Sequence, residues 1–340
     1  LTILGSFTVS KKMPPRYLTA FSDGSLLKLS SALKDRLNNC DICPRKCRVN
    51  RLKEEVGFCK TGSLAQVYSY MAHHGEEPPV SGSRGSGTIF FSHCNMGCLY
   101  CQNYEFSQKG EGNDAAPGEL AKIMLRLQKM GCHNINFVTP THVLPQIIES
   151  LLLAIPDGLK IPLVYNTSGY DLSEVIRLLD GVIDVYLPDM RYSNEEMAKK
   201  YSCAPGYPEF NRKAVLEMHR QVGIAQMEEV DGVEVIKQGM IVRHLVLPKN
   251  ISGTDEVMRF LAEEISLDAY ISLMSQYFPC YKADNFSEIA RRITIEEYEK
   301  AQQFMSQRQL YNGWIQESGG LARFAGTNIK PIVIHRVGDV

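Results

Sequence analysis

SHCNMGCLYCQN, residues 92–103, places three cysteines at a Cys-x3-Cys-x2-Cys spacing directly after a short apolar run at 88–91. A structural zinc site needs four ligands, whereas three crowded thiolates can hold three corners of a cubane [4Fe–4S] cluster and leave one iron open. The turn-favouring Asn95 and Gly97 suit a loop that folds tightly around such a cluster. The spacing of Cys94, Cys98 and Cys101 therefore predicts an iron–sulfur site with a free coordination position. An amine and a carboxylate on one ligand, as in S-adenosylmethionine, would fill it.

Around this loop, short β-rich runs alternate with helical patterns. That alternation is typical of a parallel sheet built from βαβ units. Leu120, Met124 and Leu127 belong to one apolar stripe at helical spacing, and two similar stripes follow at 144–151 and 172–179. The pattern predicts an α/β fold with six parallel strands, at 88–91, 135–138, 162–165, 182–187, 240–247 and 269–274.

The chain divides into three predicted parts. Residues 1–86 contain a first cysteine group and end in a Gly/Ser/Pro-rich passage, EEPPVSGSRGSG. Residues 87–280 hold the six β-rich runs. Residues 281–340 hold one strong helical segment, ITIEEYEKAQQFM, and a tail.

Composition excludes several classes of protein. The 340 residues carry a net charge of −1, which gives no overall electrostatic reason to bind nucleic acid or an anionic membrane. No apolar run reaches the ~18 residues of a membrane span, and the first residues lack the charge order of a secretory signal. We therefore expect a cytoplasmic protein. The ten cysteines would be disulfides only in an exported protein, and their close spacing is more typical of metal ligands.

The segment at 92–103 resembles the radical S-adenosylmethionine superfamily, and Tyr100 matches an aromatic position common in that motif. The resemblance implies a partial (β/α)6 TIM-like barrel of parallel strands, preceded here by a small N-terminal Cys-rich domain. It also implies a [4Fe–4S] cluster on Cys94, Cys98 and Cys101. Reductive cleavage of S-adenosylmethionine at that cluster would give a 5′-deoxyadenosyl radical that abstracts hydrogen.

The chain is similar in particular to the branch that contains pyruvate formate-lyase activating enzyme. Residues 136–142 stand where that branch has a Gly-Gly-Glu loop for the amino group of S-adenosylmethionine, and the candidate replacements are backbone carbonyls or the side chains of Thr139 and Thr141. Residues 166–170 look like its Asp-Thr-Asn-Gly segment, which makes Asn166 and Ser168 candidate cofactor contacts. Residues 187–191 are similar to its Leu-Asp-Leu-Lys segment, so Asp189 and Arg191 are candidates for the charged ends of the methionine moiety.

Arg243 and His244 are adjacent within the fifth β-rich run, MIVRHLVLP. Alternation along a strand sends one side chain towards the interior of the barrel and the other outward. A charged or polar ring aimed inward must be paired or functional. We expect one of the two to take part in the site, and a buried residue satisfied by a carboxylate is the alternative.

The first cysteine group, Cys40-x2-Cys43-x3-Cys47-x11-Cys59, supplies a complete set of four ligands. It suits either structural Zn²⁺ or a fully ligated [4Fe–4S] cluster, and the count of thiols does not separate the two. The basic residues between the cysteines would offset the negative charge of the thiolates. A Cys-Pro-Arg-x-Cys pattern is similar to an uncharacterised subgroup of activating-enzyme-like proteins. We expect an accessory metal site.

The resemblance to activating enzymes implies a glycine backbone in a protein substrate as the hydrogen donor, and a flavodoxin or ferredoxin as the electron donor. A radical enzyme that acts on a small molecule, a peptide or a nucleic-acid base is the second interpretation. The third is a non-catalytic iron–sulfur electron carrier, which would need Cys132, Cys203 or His93 to complete the second cluster. The carrier would leave S-adenosylmethionine intact, and the enzyme would cleave it.

Overall fold

A computed structural model describes residues 14–316 and the short strand at 329–331. The opening segment up to residue 13 and most of the predicted C-terminal tail lie outside the described residues. Within the described part of the chain, no helix has the length and apolar character that crossing a membrane requires.

The described strands form one large sheet. They are β1 Ala65–His73, β2 Ser86–Phe91, β3 Asn113–Ala115, β4 Ile135–Val138, β5 Leu163–Thr167, β6 Val185–Pro188, β7 Gln226–Val230, β8 Val233–Leu245, β9 Tyr270–Met274, β10 Gly313–Gln316 and β11 Ile329–Pro331. Seven of them run parallel, in the order β2, β4, β5, β6, β8, β9 and β10. Antiparallel strands flank them: β1 and β3 beyond β2, and β11 beyond β10. Strand β7 forms a hairpin with β8.

Helices follow most of the parallel strands, as the βαβ pattern predicts. The described helices are α1 Arg16–Ser22, α2 Ser25–Asp35, α3 Pro78–Ser81, α4 Tyr104–Ser107, α5 Pro117–Lys129, α6 Leu144–Ala154, α7 Ser173–Leu178, α8 Glu195–Ser202, α9 Tyr207–Val222, α10 Thr254–Phe260 and α11 Ile295–Gln307. The three apolar stripes lie on α5, on α6 and at α7, and Leu120, Met124 and Leu127 of α5 are fully buried.

The α/β class on a mostly parallel sheet is confirmed, and the six predicted strands are all present. The strand count needs a correction, because β10 adds a seventh parallel strand beside β9. Its four residues, Gly313–Gln316, are too short to stand out as a β-rich run. Between the described strands, β3 and β11 end the sheet without pairing with each other, so the sheet stays open as in a partial barrel.

The sheet and its core extend beyond residues 87–280. Strand β1 pairs with β2, and β10 pairs with β9, so both flanking segments add strands to the sheet. Tyr17 of α1, together with Leu26 and Leu33 of α2, joins the same hydrophobic core as α5 and α6. The division into three domains stays a prediction.

Strand β8 changes partners along its length, and Gly239 lies at the change. Residues up to Gln238 pair antiparallel with β7, and Gly239 begins the parallel pairing with β6. The backbone there has φ +123°, and an added Cβ would lie 2.4 Å from Ala225 Cα. Only glycine fits both the backbone conformation and the space.

We expect Gly239→Ala to lower the free energy of unfolding by roughly 2–4 kcal/mol, because the main chain at Ala225, directly before β7, must move. Gly118→Ala is the control, since a Cβ at Gly118 meets nothing within 4 Å. That variant should keep or slightly raise stability. Urea denaturation under anaerobic conditions compares the two, and equal stabilities would contradict the argument.

Candidate functional site

The three clustered cysteines lie in the loop that leaves β2, at the carboxyl edge of the parallel strands. Asn95 is fully buried, and its side-chain amide donates to the Tyr170 carbonyl oxygen over 2.7 Å. The backbone N–H of Gly97 donates to the Ser202 carbonyl oxygen, and that of Leu99 donates to the Tyr201 carbonyl oxygen. The loop is therefore fixed to its neighbours by residues other than its cysteines.

The thiols of Cys94, Cys98 and Cys101 are neighbours. Burial raises the pKa of Cys94 and that of Cys101, and the nearby Cys98 adds to both increases. Across the described residues, no three His, Cys, Asp or Glu side chains converge on a point that would hold a single metal ion. Thiolates on a cubane each bind a different iron and need not converge. The donor set therefore fits a [4Fe–4S] cluster better than zinc.

A chain of buried charges runs from these cysteines into the sheet. Arg191 Nη1 lies 4.0 Å from Cys98 Sγ, and Arg191 Nη2 donates to Asp189 Oδ2 over 2.6 Å. The other oxygen, Asp189 Oδ1, accepts from Arg243 Nε over 2.9 Å. Arg243 Nη2 then donates to Asn166 Oδ1 over 2.7 Å. Four of the predicted cofactor contacts, from three strands or strand ends, are thus brought together.

Asp189 is the centre of this network. Only 5% of the residue is exposed. Burial on its own raises the pKa of its carboxyl, but Arg243 and Arg191 outweigh burial and hold that pKa below its usual value. The carboxylate therefore stays ionised and fixes both guanidinium groups. Arg191 keeps a buried Nε without a partner among the described residues, which leaves a donor for a ligand.

Sequence reasoning missed Glu76 and Glu77, which it read as part of a Gly/Pro-rich turn region. Glu76 Oε2 lies 3.4 Å from Arg243 Nη1, and Glu76 Oε1 accepts from Asn136 Nδ2 over 3.1 Å. Burial raises the pKa of Glu76 to about 7, against the opposing effect of Arg243. Glu77 Oε2 and Asn136 Oδ1 are buried acceptors without a partner among the described residues. The one available signal was that two adjacent carboxylates precede a Pro-Pro pair.

The other predicted cofactor contacts occupy different positions. Ser168 is buried after β5, and its Oγ has no partner within the described chain. Thr139, after β4, has φ +57°, a strained conformation for a β-branched residue, and its N–H donates to the Asn166 carbonyl oxygen. Both lie at the carboxyl edge with the cysteine loop.

Tyr100 and His244 hydrogen-bond to groups outside the charged network. The Tyr100 hydroxyl hydrogen-bonds the Tyr192 hydroxyl over 2.6 Å, so it braces the loop from within the core. His244 Nδ1 lies 2.7 Å from the Met190 carbonyl oxygen, and its Nε2 lies 2.9 Å from Thr254 Oγ1. The strand alternation expected for residues 243–244 is present. The structure brings Arg243 to the site and leaves His244 on the opposite face.

The four cysteines of the first group, Cys40, Cys43, Cys47 and Cys59, line one narrow cavity together. Arg45 connects this group to the second one, because its Nε donates to the Asn95 carbonyl oxygen over 2.9 Å. The same guanidinium stacks 3.5 Å above the Phe58 ring. The two cysteine segments are therefore in direct contact.

The raised pKa of Glu76 predicts a pH-dependent stability. The folded pKa of about 7 exceeds the ordinary value of 4.5, so the folded protein binds a proton that the unfolded chain has lost between those values. The free energy of unfolding should fall as pH rises from about 4.5 to about 7, by roughly 1–3 kcal/mol from this group. Burial also raises the pKa of Asp184 to about 7, and that carboxyl adds the same trend, so the comparison is between variants.

Glu76→Gln should remove this contribution and flatten the profile relative to wild type. Glu299→Gln is the control, because Glu299 is exposed on α11. Urea denaturation at pH 5, 6, 7 and 8 measures the three profiles. A Glu76→Gln profile as steep as that of wild type would show that Glu76 titrates normally.

Comparison with known proteins adds independent findings. The model of the Radical SAM superfamily matches residues 88–271. Uncharacterized protein MJ0674 of Methanocaldococcus jannaschii is 34% identical over 278 residues, which cover 79% of this chain and 74% of the relative. Uncharacterized protein MJ0808 of the same organism is 22% identical over 292 residues, which cover 78% of this chain and 80% of that relative. A solved structure of TYW1 with a lysine-pyruvate adduct aligns with TM-score 0.43 at 12% identity, over 68% of this chain and 76% of that one.

Proposed function

Because the chain belongs to the radical SAM superfamily, we propose that it is an activating-type enzyme that abstracts a hydrogen atom from a glycine backbone in a partner protein. The observation that supports a radical enzyme most directly is the set of three thiols at Cys94, Cys98 and Cys101. Three thiols would leave one iron of a cubane without a protein ligand, and Arg191 Nη1 lies 4.0 Å from Cys98 Sγ. The similarity of residues 166–170 and 187–191 to activating-enzyme segments supports the choice of substrate.

The three thiols would hold a [4Fe–4S] cluster. When bound, that cluster supplies one electron, so that S-adenosylmethionine is cleaved to methionine and a 5′-deoxyadenosyl radical that takes a hydrogen atom from the substrate. Arg191 and Arg243 offer guanidinium donors to a carboxylate, and Ser168 Oγ and Asn166 offer neutral polar atoms at the same edge. Asp189 holds both arginines in place. Electrons would come from a low-potential one-electron carrier of the flavodoxin or ferredoxin type.

A small-molecule substrate is the second candidate, and a specific observation favours it. Glu77 Oε2 and Asn136 Oδ1 are buried acceptors that lack partners among the described residues, close to Arg243. Unpaired buried acceptors are expensive unless a ligand satisfies them. A compound that carries amine or hydroxyl donors would fit these two groups.

Cleavage of S-adenosylmethionine tests the enzyme class. Anaerobically reconstituted protein with dithionite should form 5′-deoxyadenosine, and Cys98→Ala should reduce its formation at least 100-fold because the cluster loses a ligand. Cys203→Ser is the matched control, since Cys203 is exposed and outside the motif. Chromatographic quantification of 5′-deoxyadenosine gives the readout. A redox-active cluster that leaves S-adenosylmethionine intact would instead establish an electron carrier.

The source of the abstracted hydrogen separates the two candidate substrates. Cells of the organism that encodes the chain are grown on [2,2-²H₂]glycine, and their extract is divided into protein and low-mass fractions. With enzyme, reductant and S-adenosylmethionine, we expect deuterium in 5′-deoxyadenosine only when the protein fraction is present. Mass spectrometry detects the single-unit increase. In a parallel extract labelled uniformly with deuterium, transfer from the low-mass fraction alone would favour the small molecule.

A further inference from the structure

The cavity between Cys40, Cys43, Cys47 and Cys59 has an unusual charge balance. Arg45 and Arg51 also line it, and no aspartate or glutamate stands among its described lining residues. Nearby basic side chains are neutralised elsewhere: Lys46 faces Glu174, and Arg48 faces Asp41. Two permanent cations and four thiols therefore surround a space without any carboxylate.

Arg51 is a buried cation of this cavity that lacks a carboxylate partner among the described residues. It is only 1% exposed, and no carboxylate of the described chain lies within ion-pair distance of it. Its Nε donates to the Gly62 carbonyl oxygen and its Nη1 to the His142 carbonyl oxygen, while Nη1 also lies 4.0 Å from Cys40 Sγ. Its Nη2 is buried without any partner among the described residues. A buried guanidinium needs an anionic partner, and here the four sulfurs can provide it only as thiolates.

The arrangement of the thiols distinguishes between two metal groups. A structural zinc ion draws its four ligands to one point at about 2.3 Å each. No three potential ligands in the described chain converge in that way. The spacing, three close cysteines followed by a remote fourth, is a pattern that iron–sulfur sites use. Each thiolate of such a site binds a different iron, so the four sulfurs need not converge on one point.

Gly57 shows that this space is shaped for the sulfurs. An added Cβ at Gly57 would lie 2.7 Å from Cys47 Sγ and 2.7 Å from Cys47 Cβ. Its backbone does not require glycine, because no left-handed φ occurs there. The missing side chain therefore serves the position of the Cys47 thiol.

We propose that Cys40, Cys43, Cys47 and Cys59 hold a second [4Fe–4S] cluster, fully ligated by the protein, and that Arg51 is its buried counter-cation. Four thiolates and a [4Fe–4S]²⁺ core carry a net charge of −2, which Arg51 and Arg45 balance. Because all four irons are ligated, this cluster does not bind S-adenosylmethionine. It is thus independent of the function proposed above.

Metal analysis with cysteine variants tests the proposal. Anaerobically purified wild-type protein should contain about eight irons and eight sulfides per chain. The Cys94→Ala/Cys98→Ala/Cys101→Ala variant should keep about four irons, and its reduced EPR signal should not change when S-adenosylmethionine is added. Cys43→Ser should lose the other four irons and keep a signal that S-adenosylmethionine alters. Gly57→Ala should lower the iron content of the same site.

The role of Arg51 has its own readout. In the triple-alanine variant, Arg51→Gln should lower the reduction potential of the remaining cluster, because a buried positive charge that favours the reduced state is lost. Arg51→Lys should restore part of the potential. Arg48→Gln is the control, since Arg48 is about half exposed and pairs with Asp41. A reduction potential that Arg51→Gln leaves unchanged would show that Arg51 is not the counter-cation of this cluster.

Two results would overturn the cluster itself. Four irons with one zinc per chain, and zinc lost in Cys43→Ser, would establish a structural zinc site. Four irons per chain without zinc would show that Cys40, Cys43, Cys47 and Cys59 are free thiols. Neither result bears on cleavage of S-adenosylmethionine, which depends on Cys94, Cys98 and Cys101.

Discussion

The carboxyl edge of the sheet depends on one buried carboxylate with two guanidinium groups. Asp189 follows β6, Arg243 lies in β8, and Arg191 reaches back to the cysteine loop after β2. A charge this deeply buried is tolerated only if it is paired and hydrogen-bonded, and loss of Asp189 would remove the carboxylate that pairs with Arg191. The pairing therefore determines how close the strand ends lie to the cysteines. Ion pairs therefore position the side chains of the site, and hydrophobic packing holds the strands that carry them.

The network also connects the amino ends of the parallel strands with their carboxyl ends. Strand β1 is antiparallel to β2 and ends beside Ser86, where β2 begins, so Glu76 enters from the amino edge. Its contact with Arg243 joins that edge to Asp189 and the cysteine loop. Glu76 is protonated over part of the neutral range, because burial opposes the attraction of Arg243. The charge inside the sheet therefore changes with pH, while the pair of Asp189 with its arginines keeps its ionisation.

The sequence was informative where function is encoded locally. Three thiols within eight residues identify a candidate cluster site by their spacing alone, and the resemblance of residues 166–170 and 187–191 to activating-enzyme segments made Asn166, Asp189 and Arg191 candidates for the same site. Contacts between residues far apart in the chain could not be predicted in this way. Glu76 and Arg243 are 167 residues apart, and Glu-Glu-Pro-Pro reads as a turn. Strand β10 was missed because its four residues take their register from β9, where Gly313 passes so close to Ile271 that no side chain fits. Arg51 was counted only as one of several cations, since burial cannot be read from spacing.

Arg45 shows why the two cysteine segments act as one structural unit. Three of its features bear on both: it lies between Cys43 and Cys47, it donates to the carbonyl oxygen of Asn95 between Cys94 and Cys98, and it stacks on Phe58 and Tyr170. Tyr170 in turn accepts the Asn95 side-chain amide through its carbonyl oxygen. The loop that carries Cys94, Cys98 and Cys101 is thus held from one side by the segment after β5 and from the other by the first cysteine segment. Arg45 therefore links the four-thiol cavity directly to Asn95, which lies between two cysteines of the second segment.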